Sequence, residues 1–96
     1  MYASIRLYQG DTALAGHLVE HEAAVRTLIS GVEGFQSYHL VNGDAGTASI
    51  TICDDRAGAE ESNRLAAGWL KENAPSSAIT PPQVTAGDVV IHFGAS

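Results

Sequence analysis

The sequence predicts an α+β domain in which strands and helices follow one another in the order β-α-β-β-α-β over residues 1–96. Three observations carry this prediction. In some segments apolar residues recur at every second position, as in a strand, and in others at every third or fourth position, as in a helix. Residues 42–46 read as a turn between two strands. The connections are short, which together with the handedness of crossovers favours a ferredoxin-like, four-stranded antiparallel sheet in the order 4-1-3-2 with two helices on one face.

The first strand and helix are read from their periodicity. Residues 2–9 alternate between apolar and polar side chains, which predicts a half-buried strand. Asp11 is placed to cap a helix, because its carboxylate can accept hydrogen bonds from the free N–H groups of a first turn. Apolar residues then recur at steps of three and four as far as Val32, with His21 among them. One continuous helix is therefore expected.

The second and third strands are predicted at Phe35–Val41 and residues 47–53 as a hairpin centred on Asp44. This register pairs Leu40 with Ala48 and Tyr38 with Ile50, and it leaves only Gln36 on an unsuitable face. The opposite face would then carry Ser37, His39, Ser49 and Thr51.

The second helix is expected at 56–73, capped by Asp54 or Asp55 and ended by Pro75. Its inner stripe would comprise Ala59, Asn63, Ala66 and Leu70. Residues 74–82 are expected to form a loop, and residues 83–93 a last strand with room for a kink at Gly87.

Composition excludes several classes of function. Five Lys and Arg residues against eleven Asp and Glu residues give a net charge of −6, which disfavours binding to nucleic acid or to an anionic membrane. A single cysteine cannot form a disulfide within the chain, and no apolar run approaches the roughly 18 residues of a membrane span. These features are typical of a soluble, cytoplasmic protein.

The small size of the chain predicts self-association. A chain of 96 residues buries only about 60–65% of the surface that its unfolded form exposes, so its own core is marginal. Helices on one side leave the other face of the sheet to water or to a partner. A homodimer joined sheet to sheet is the simplest solution.

A possible metal motif occurs in the first helix, where residues 17–21 spell H-x-x-E-H, the inverted zinc-protease pattern. Proteases of that class use much longer chains and a distant third ligand. We therefore expect no metal, with His21 on the apolar stripe and His17 at its solvent edge.

Other side chains offer chemistry, each beside a structural alternative. His39 on a strand could act as a general base, or it could be a solvent-facing imidazole. Asn63 could hold a ligand or bond to the sheet, and Trp69 could line a ligand site or belong to the core or dimer interface. Arg6 could neutralise an anionic ligand, or it could pair with an acidic group across the dimer, and the structural role is favoured. Cys53 is a poor candidate nucleophile, because Asp54 and Asp55 should raise its pKa.

Two stretches resemble a known family. They are Gly34-Phe35-Gln36-Ser37-Tyr38, and residues 54–63 followed by Ala66-Ala67-Gly68-Trp69. Over the whole chain the sequence resembles the dimeric α/β barrel superfamily, in its antibiotic-biosynthesis-monooxygenase-like branch. The resemblance implies a homodimer with a pocket in each subunit between sheet and helices. Family oxygenases oxidise polycyclic aromatic phenols with O₂ and use no metal, flavin or haem; other members degrade haem or isomerise lactones.

The chain departs from these relatives at one strand. Where the oxygenases carry an asparagine and a tryptophan four residues apart, this chain has Ser49 and Cys53, and no histidine follows Trp69 as in the haem-degrading members. The resemblance implies that the face of Ser37, His39 and Ser49 points into the pocket and that the Ile50 face forms the dimer seam.

The resulting hypothesis is a cofactor-independent monooxygenase acting on a small aromatic compound, with no cofactor and no metal. His39 would be the catalytic base, and the ligand-binding residues would be Tyr38, Ser49, Cys53, Asn63 and Trp69. A non-catalytic homodimer that binds a small molecule, and a purely structural or partner-binding module, are the alternatives.

Overall fold

The computed structural model describes residues 1–9, 14–73 and 82–94. Four strands and three helices lie within these ranges: β1 (Tyr2–Gln9), α1 (Leu14–Glu20), α2 (Glu22–Ser30), β2 (Phe35–Gly43), β3 (Gly46–Cys53), α3 (Arg56–Asn73) and β4 (Gln83–Asp88). The predicted cap Asp11 and the predicted loop, apart from Pro82, lie outside the described residues.

The four strands form one antiparallel sheet in the order β2-β3-β1-β4, which confirms the predicted topology. The last strand is shorter than predicted and ends at Asp88, which lies opposite Tyr2. The N–H of Val89 still donates to the carbonyl of Met1 at 2.9 Å. Residues 90–94 then have no stretch of β1 opposite them, so the prediction of a strand as far as Phe93 is wrong beyond this point.

The predicted first helix is broken at His21. The N–H of His21 bonds back to Leu18 at 3.1 Å, three residues away, and its backbone leaves the helical region with φ −111° and ψ 27°. The next helix starts at Glu22. The prediction of one continuous helix is therefore wrong. The apolar periodicity of the sequence continues through His21, but the helical backbone is interrupted there.

The hairpin between β2 and β3 has a register one residue away from the predicted one. Gly43 pairs with Gly46 across a two-residue connection, so Tyr38 lies opposite Thr51 and His39 opposite Ile50. Gly46 has φ 148°, a conformation that glycine adopts without strain. Because loop length sets register, the shift moves the side chains of β2 from Ser37 onward to the other face relative to β3.

The start of β2 contains a bulge at Gln36. The exposed Gln36 side chain donates to the Asp54 carboxylate at 2.6 Å. The residue that did not fit the predicted pattern is thus accommodated outside the ladder.

The two faces of the sheet differ in composition. The covered face is the one under the helices, and on β1 and β3 it carries Ser4, Arg6, Tyr8, Thr47, Ser49, Thr51 and Cys53, all buried. The open face carries Ala3, Ile5, Leu7, Ala48, Ile50 and Ile52, joined by Ser37, His39 and Val41 of β2. An apolar cluster on the covered face comprises Tyr8, Leu14, Leu18 and Leu70, with Val25, Leu40 and Trp69 packed against it.

Helix α3 is fixed to the sheet at its first turn. The Asp55 carboxylate accepts a hydrogen bond from the Gly58 N–H at 3.0 Å, which confirms the predicted cap. A Cβ atom on Gly58 would lie 2.9 Å from the Glu33 carbonyl oxygen and 3.0 Å from the Cys53 Cβ. The helix can therefore approach β3 this closely only with glycine at that position.

Among the helices of the described residues, none combines the length and the apolar character needed to cross a lipid bilayer.

Candidate functional site

The centre of the covered face holds a buried cation. Arg6 on β1 is 2% exposed, and its guanidinium lies between β3 and α3. One terminal nitrogen, Nη2, donates to the hydroxyl oxygens of Ser49 and Thr51, both at 2.9 Å. The other, Nη1, donates to Oδ1 of Asn63, which also accepts from the Ser4 hydroxyl at 2.7 Å.

The strand register brings these groups together. Arg6 lies directly opposite Ser49 on the neighbouring β3, and Ser4 lies opposite Thr51. Side chains two residues apart on a strand share a face, so all four point toward α3, which supplies Asn63. We name the five residues Ser4, Arg6, Ser49, Thr51 and Asn63 the arginine cluster.

The positive charge of Arg6 has no counter-ion within the described residues. Its hydrogen-bond acceptors are hydroxyl and amide oxygens, whereas the described ion pairs are all between exposed helix residues. Its Nε atom is buried without a partner. A buried charge that lacks an opposite charge costs several kcal/mol, so the arginine cluster is a site where an anion would be stabilised.

Two tyrosines lie next to the arginine cluster. The Tyr38 hydroxyl and the Ser49 hydroxyl are 2.8 Å apart and share a hydrogen bond. Burial raises the pKa of Tyr8, and the nearby Arg6 only partly opposes this effect. Tyr8 is therefore a neutral phenol at physiological pH.

A narrow cleft opens beside these tyrosines, between the sheet and all three helices. The space in it that water could occupy is about 20 Å³, room for about one molecule. Its walls are almost entirely apolar and aromatic: Tyr8, Leu18, Val25, Leu28, Ile29, Tyr38, Ser49, Ala66, Trp69 and Leu70. Ser49 belongs to both the cleft and the arginine cluster, so the cleft meets the cation through this hydroxyl.

Four of the predicted site residues lie together. Tyr38, Ser49 and Trp69 line the cleft, and Asn63 belongs to the arginine cluster. Cys53 is fully buried on the covered face but lies under Gly58 at the end of β3, and it is not among the residues of the cleft. Burial, together with Asp54 and Asp55, raises the pKa of its thiol, as the sequence suggested.

His39 lies on the open face, opposite Ile50, and its side chain is exposed. The prediction that it points into the pocket between sheet and helices is wrong, because the hairpin register differs by one residue. The catalytic role of His39 stays a prediction, and it would require the substrate to bind on the open face.

Sequence reasoning underestimated Arg6 and missed Ser4 and Thr51 as site residues. The signal was present, since Ser4, Arg6 and Tyr8 alternate on β1 as Thr47, Ser49 and Thr51 do on β3. Pairing these two strands, instead of only β2 with β3, would have placed all six polar side chains on one face.

Comparison with known proteins identifies the fold. No family model and no curated protein matches the sequence. Among solved structures, the haem-degrader MhuD from Mycobacterium tuberculosis, with two haems bound in its active site, has a TM-score of 0.65 at 19% identity and covers 98% of this chain and 100% of its own.

Two further structures carry monooxygenase names. A monooxygenase from the ActVA-Orf6 gene of Streptomyces coelicolor, in complex with nanaomycin D, has a TM-score of 0.66 at 17% identity over 99% of this chain and 91% of that one. A protein from Bordetella bronchiseptica, provisionally described as an antibiotic biosynthesis monooxygenase, has a TM-score of 0.68 at 15% identity over 94% and 97%. The chain thus has, from end to end, the fold of the antibiotic-biosynthesis-monooxygenase-like proteins.

Proposed function

We propose that this protein binds a small aromatic anion between its sheet and its helices and oxidises it as a cofactor-independent monooxygenase. One observation carries the proposal: a buried arginine, bonded only to neutral acceptors, adjoins a cleft with aromatic walls. The guanidinium suits an oxyanion, and the cleft suits the ring to which that oxyanion is attached.

The arginine cluster would act on the ionisation of the ligand. A cation within a few ångström of a phenol favours the phenolate and lowers its pKa. The unpartnered Nε of Arg6 offers a further donor, and the linked hydroxyls of Ser49 and Tyr38 offer one more, because the other hydroxyl proton is used in the bond between them. A phenolate held there needs no separate base, so the exposed position of His39 does not argue against the proposal.

Trp69 would control entry to the cleft. The cleft has room for about one water molecule, so a ring can enter only if a wall moves. Leu28 and Trp69 also line a surface groove of about 250 Å³ on the outer side of α3. Rotation of the half-buried Trp69 side chain would join the groove to the cleft and give space for one or two fused rings.

The reaction we propose is oxidation of a phenol that carries an activated CH₂ group. The phenolate transfers an electron to O₂, and the overall change converts the CH₂ group and O₂ into a carbonyl group and one water molecule. Arg6 would stabilise the anionic oxygen throughout, and the aromatic walls would exclude bulk water.

A homodimer is part of the proposal, and the open face supports it. Ile5 and Val41 are 38% and 49% exposed on this face, around the half-buried Ile50 and Ile52. Beyond β4, the apolar side chains of Val90, Ile91 and Phe93 are 76–88% exposed. An antiparallel sheet normally turns a polar face to water, so a second copy of the chain is the occupant that we propose for this one.

The test compares wild type with Arg6→Gln, which removes the charge and retains a polar side chain. Binding of hydroxylated naphthalenes and anthrones is measured by calorimetry, and O₂ uptake by an oxygen electrode. We expect Arg6→Gln to weaken binding of the ionised ligands by about 30-fold or more. The exposed Arg26→Gln serves as the matched control and should change nothing.

Two outcomes would contradict the proposal. Equal binding of anionic ligands by wild type and Arg6→Gln would remove Arg6 from the site. Tight binding without O₂ uptake by any ligand would favour the second candidate, a non-catalytic binding homodimer. That candidate needs only the cation and the apolar and aromatic walls, which the described residues supply.

A further inference from the structure

A second cluster of chemically competent side chains lies where α1 meets α2. His17, Glu20 and His21 each offer one ligand atom, and these three atoms lie within 4.8 Å of one another. We propose that this cluster binds a divalent late transition metal ion, Zn²⁺ in the first place. No hydrolytic step is part of the proposal.

The hydrogen bonds of the two imidazoles leave each of them ready to ligate. Nε2 of His17 lies 3.1 Å from the Asn73 carbonyl oxygen, and Nδ1 of His21 lies 2.9 Å from the His17 carbonyl oxygen. A carbonyl oxygen can only accept, so each of these nitrogens carries the proton. The other nitrogen of each neutral ring then has a free lone pair, the state in which metal-binding histidines are usually held.

The two imidazole rings are close together. Their centroids lie 4.7 Å apart, with His17 in α1 and His21 between α1 and α2. Zinc bonds of about 2.1 Å in a tetrahedral site separate ligand atoms by about 3.4 Å, so ligand atoms as far as 4.8 Å apart need to approach by about 1.4 Å. Glu20 and His21 are exposed and can make this movement.

The donor set selects the kind of ion. Two imidazole nitrogens and one carboxylate favour Zn²⁺, Co²⁺, Ni²⁺ and Cu²⁺ over Mg²⁺ and Ca²⁺, which prefer oxygen ligands. Three protein ligands would leave a position for water. The net charge of −6 also favours accumulation of cations near the surface.

Bound metal would connect three helices. The ligands come from α1 and from the residue that precedes α2, and His17 is bonded to the last residue of α3. The site lies outside the arginine cluster and shares no residue with it. The inference therefore stands independently of the proposed oxidation.

Trp69 provides a built-in reporter. It is the only tryptophan of the chain, and its ring centroid lies 5.8 Å from that of His17 and 5.7 Å from that of His21. An ion with an open d shell, such as Ni²⁺ or Co²⁺, quenches an indole at this distance, whereas Zn²⁺ can be followed by its displacement of the quencher.

The experiment uses protein without an affinity tag and titrates Ni²⁺ while tryptophan fluorescence is recorded. We expect saturable quenching at one ion per chain, reversed by Zn²⁺. His21→Ala should weaken binding about tenfold or more, and Glu20→Gln by a smaller factor. Glu22→Gln and His92→Ala, which alter an equally exposed carboxylate and imidazole, should bind as wild type.

The contrary results are equally definite. Absence of quenching by millimolar Ni²⁺ in wild type, or equal affinity in wild type and both ligand variants, would overturn the proposal. If His21→Ala fails to fold by circular dichroism, the comparison of Glu20→Gln with Glu22→Gln decides, since both positions are exposed. Arg6→Gln should retain full metal affinity, so failure of the oxidation proposal would leave this result unaffected.

Discussion

The covered and open faces of the sheet reverse the usual distribution of side chains. The covered face, which the helices bury, is built from serine, threonine and Arg6, whereas the open face carries Ile5, Ile50 and Ile52. A chain that folded only to bury its own apolar surface would place these sets the other way round. The difference supports our two proposals, that an anionic ligand binds at the covered face and that a second copy of the chain binds at the open face.

The largest expected effect comes from placing a charge on the open face. Ile50→Glu should raise the dissociation constant of the proposed homodimer by about 100-fold or more, because two buried carboxylates would face an apolar surface. Sedimentation at micromolar concentrations measures this. Val19→Glu, at an exposed apolar position of α1, is the matched control. If the wild-type protein sediments as a monomer, the proposal that the open face binds a second copy is wrong.

On the covered face, Asn63→Leu removes the acceptor that Arg6 and Ser4 share. We expect the free energy of unfolding to fall by about 2–3 kcal/mol, since a buried cation loses a hydrogen bond. Asn63→Asp instead supplies the missing carboxylate, so it should preserve stability but weaken binding of aromatic anions. Urea unfolding and calorimetry measure the two effects. If the free energy of unfolding falls by less than about 0.5 kcal/mol for Asn63→Leu, water must reach the arginine cluster and replace the lost hydrogen bond.

The closeness of α3 to the covered face can be tested with two glycines of that helix. Gly58→Ala places a methyl group 2.9 Å from a carbonyl oxygen and should cost about 1–3 kcal/mol. Gly68→Ala meets nothing within 4 Å and should stabilise the protein by about 0.5–1 kcal/mol through helix propensity. Urea unfolding of both variants is sufficient. If both substitutions change the free energy of unfolding in the same direction, the close approach of α3 to the sheet at Gly58 is contradicted.

The smallest effect concerns alkaline pH. Burial raises the pKa of the Cys53 thiol and of the Tyr8 phenol in the folded protein. Above the ordinary pKa of a thiol, about 8.5, the unfolded state loses a proton that the folded state retains. The free energy of unfolding is therefore unaffected by this ionisation below about pH 8.5, and above it falls by up to about 1.4 kcal/mol per pH unit. Cys53→Ala should remove the first part of this loss and leave the part due to Tyr8. Identical pH profiles would show that the thiol ionises freely in the folded state.

Most elements could be predicted because each has a local cause. The alternation of residues 2–9, the cap at Asp55 and the helical period of residues 56–73 act within a few residues, and the structure confirms all three. The strand order followed from general rules of connection.

The errors arose where the register or the end of an element depends on a residue far away in the sequence or on the conformation of a single residue. The hairpin register depends on whether Gly43 pairs with Gly46, and a shift of one residue exchanges the faces of β2. The end of β4 depends on where β1 begins. Tyr38, Ser49 and Trp69 lie at the cleft and Asn63 lies beside Arg6, and their role in binding stays a prediction. The position of Arg6 depended on which face of β1 the helices cover.

The end of the described chain has a consequence for how the protein is made. Residues 90–94 continue from the edge strand β4 outside the strand ladders of the described residues, and Val90, Ile91 and Phe93 are exposed. Such a segment can be captured by the edge of another unfinished sheet, the first step toward aggregates. We expect copies that have not yet paired to be the aggregation-prone form, and Phe93→Lys, which places a charge on this exposed segment, should raise the soluble yield.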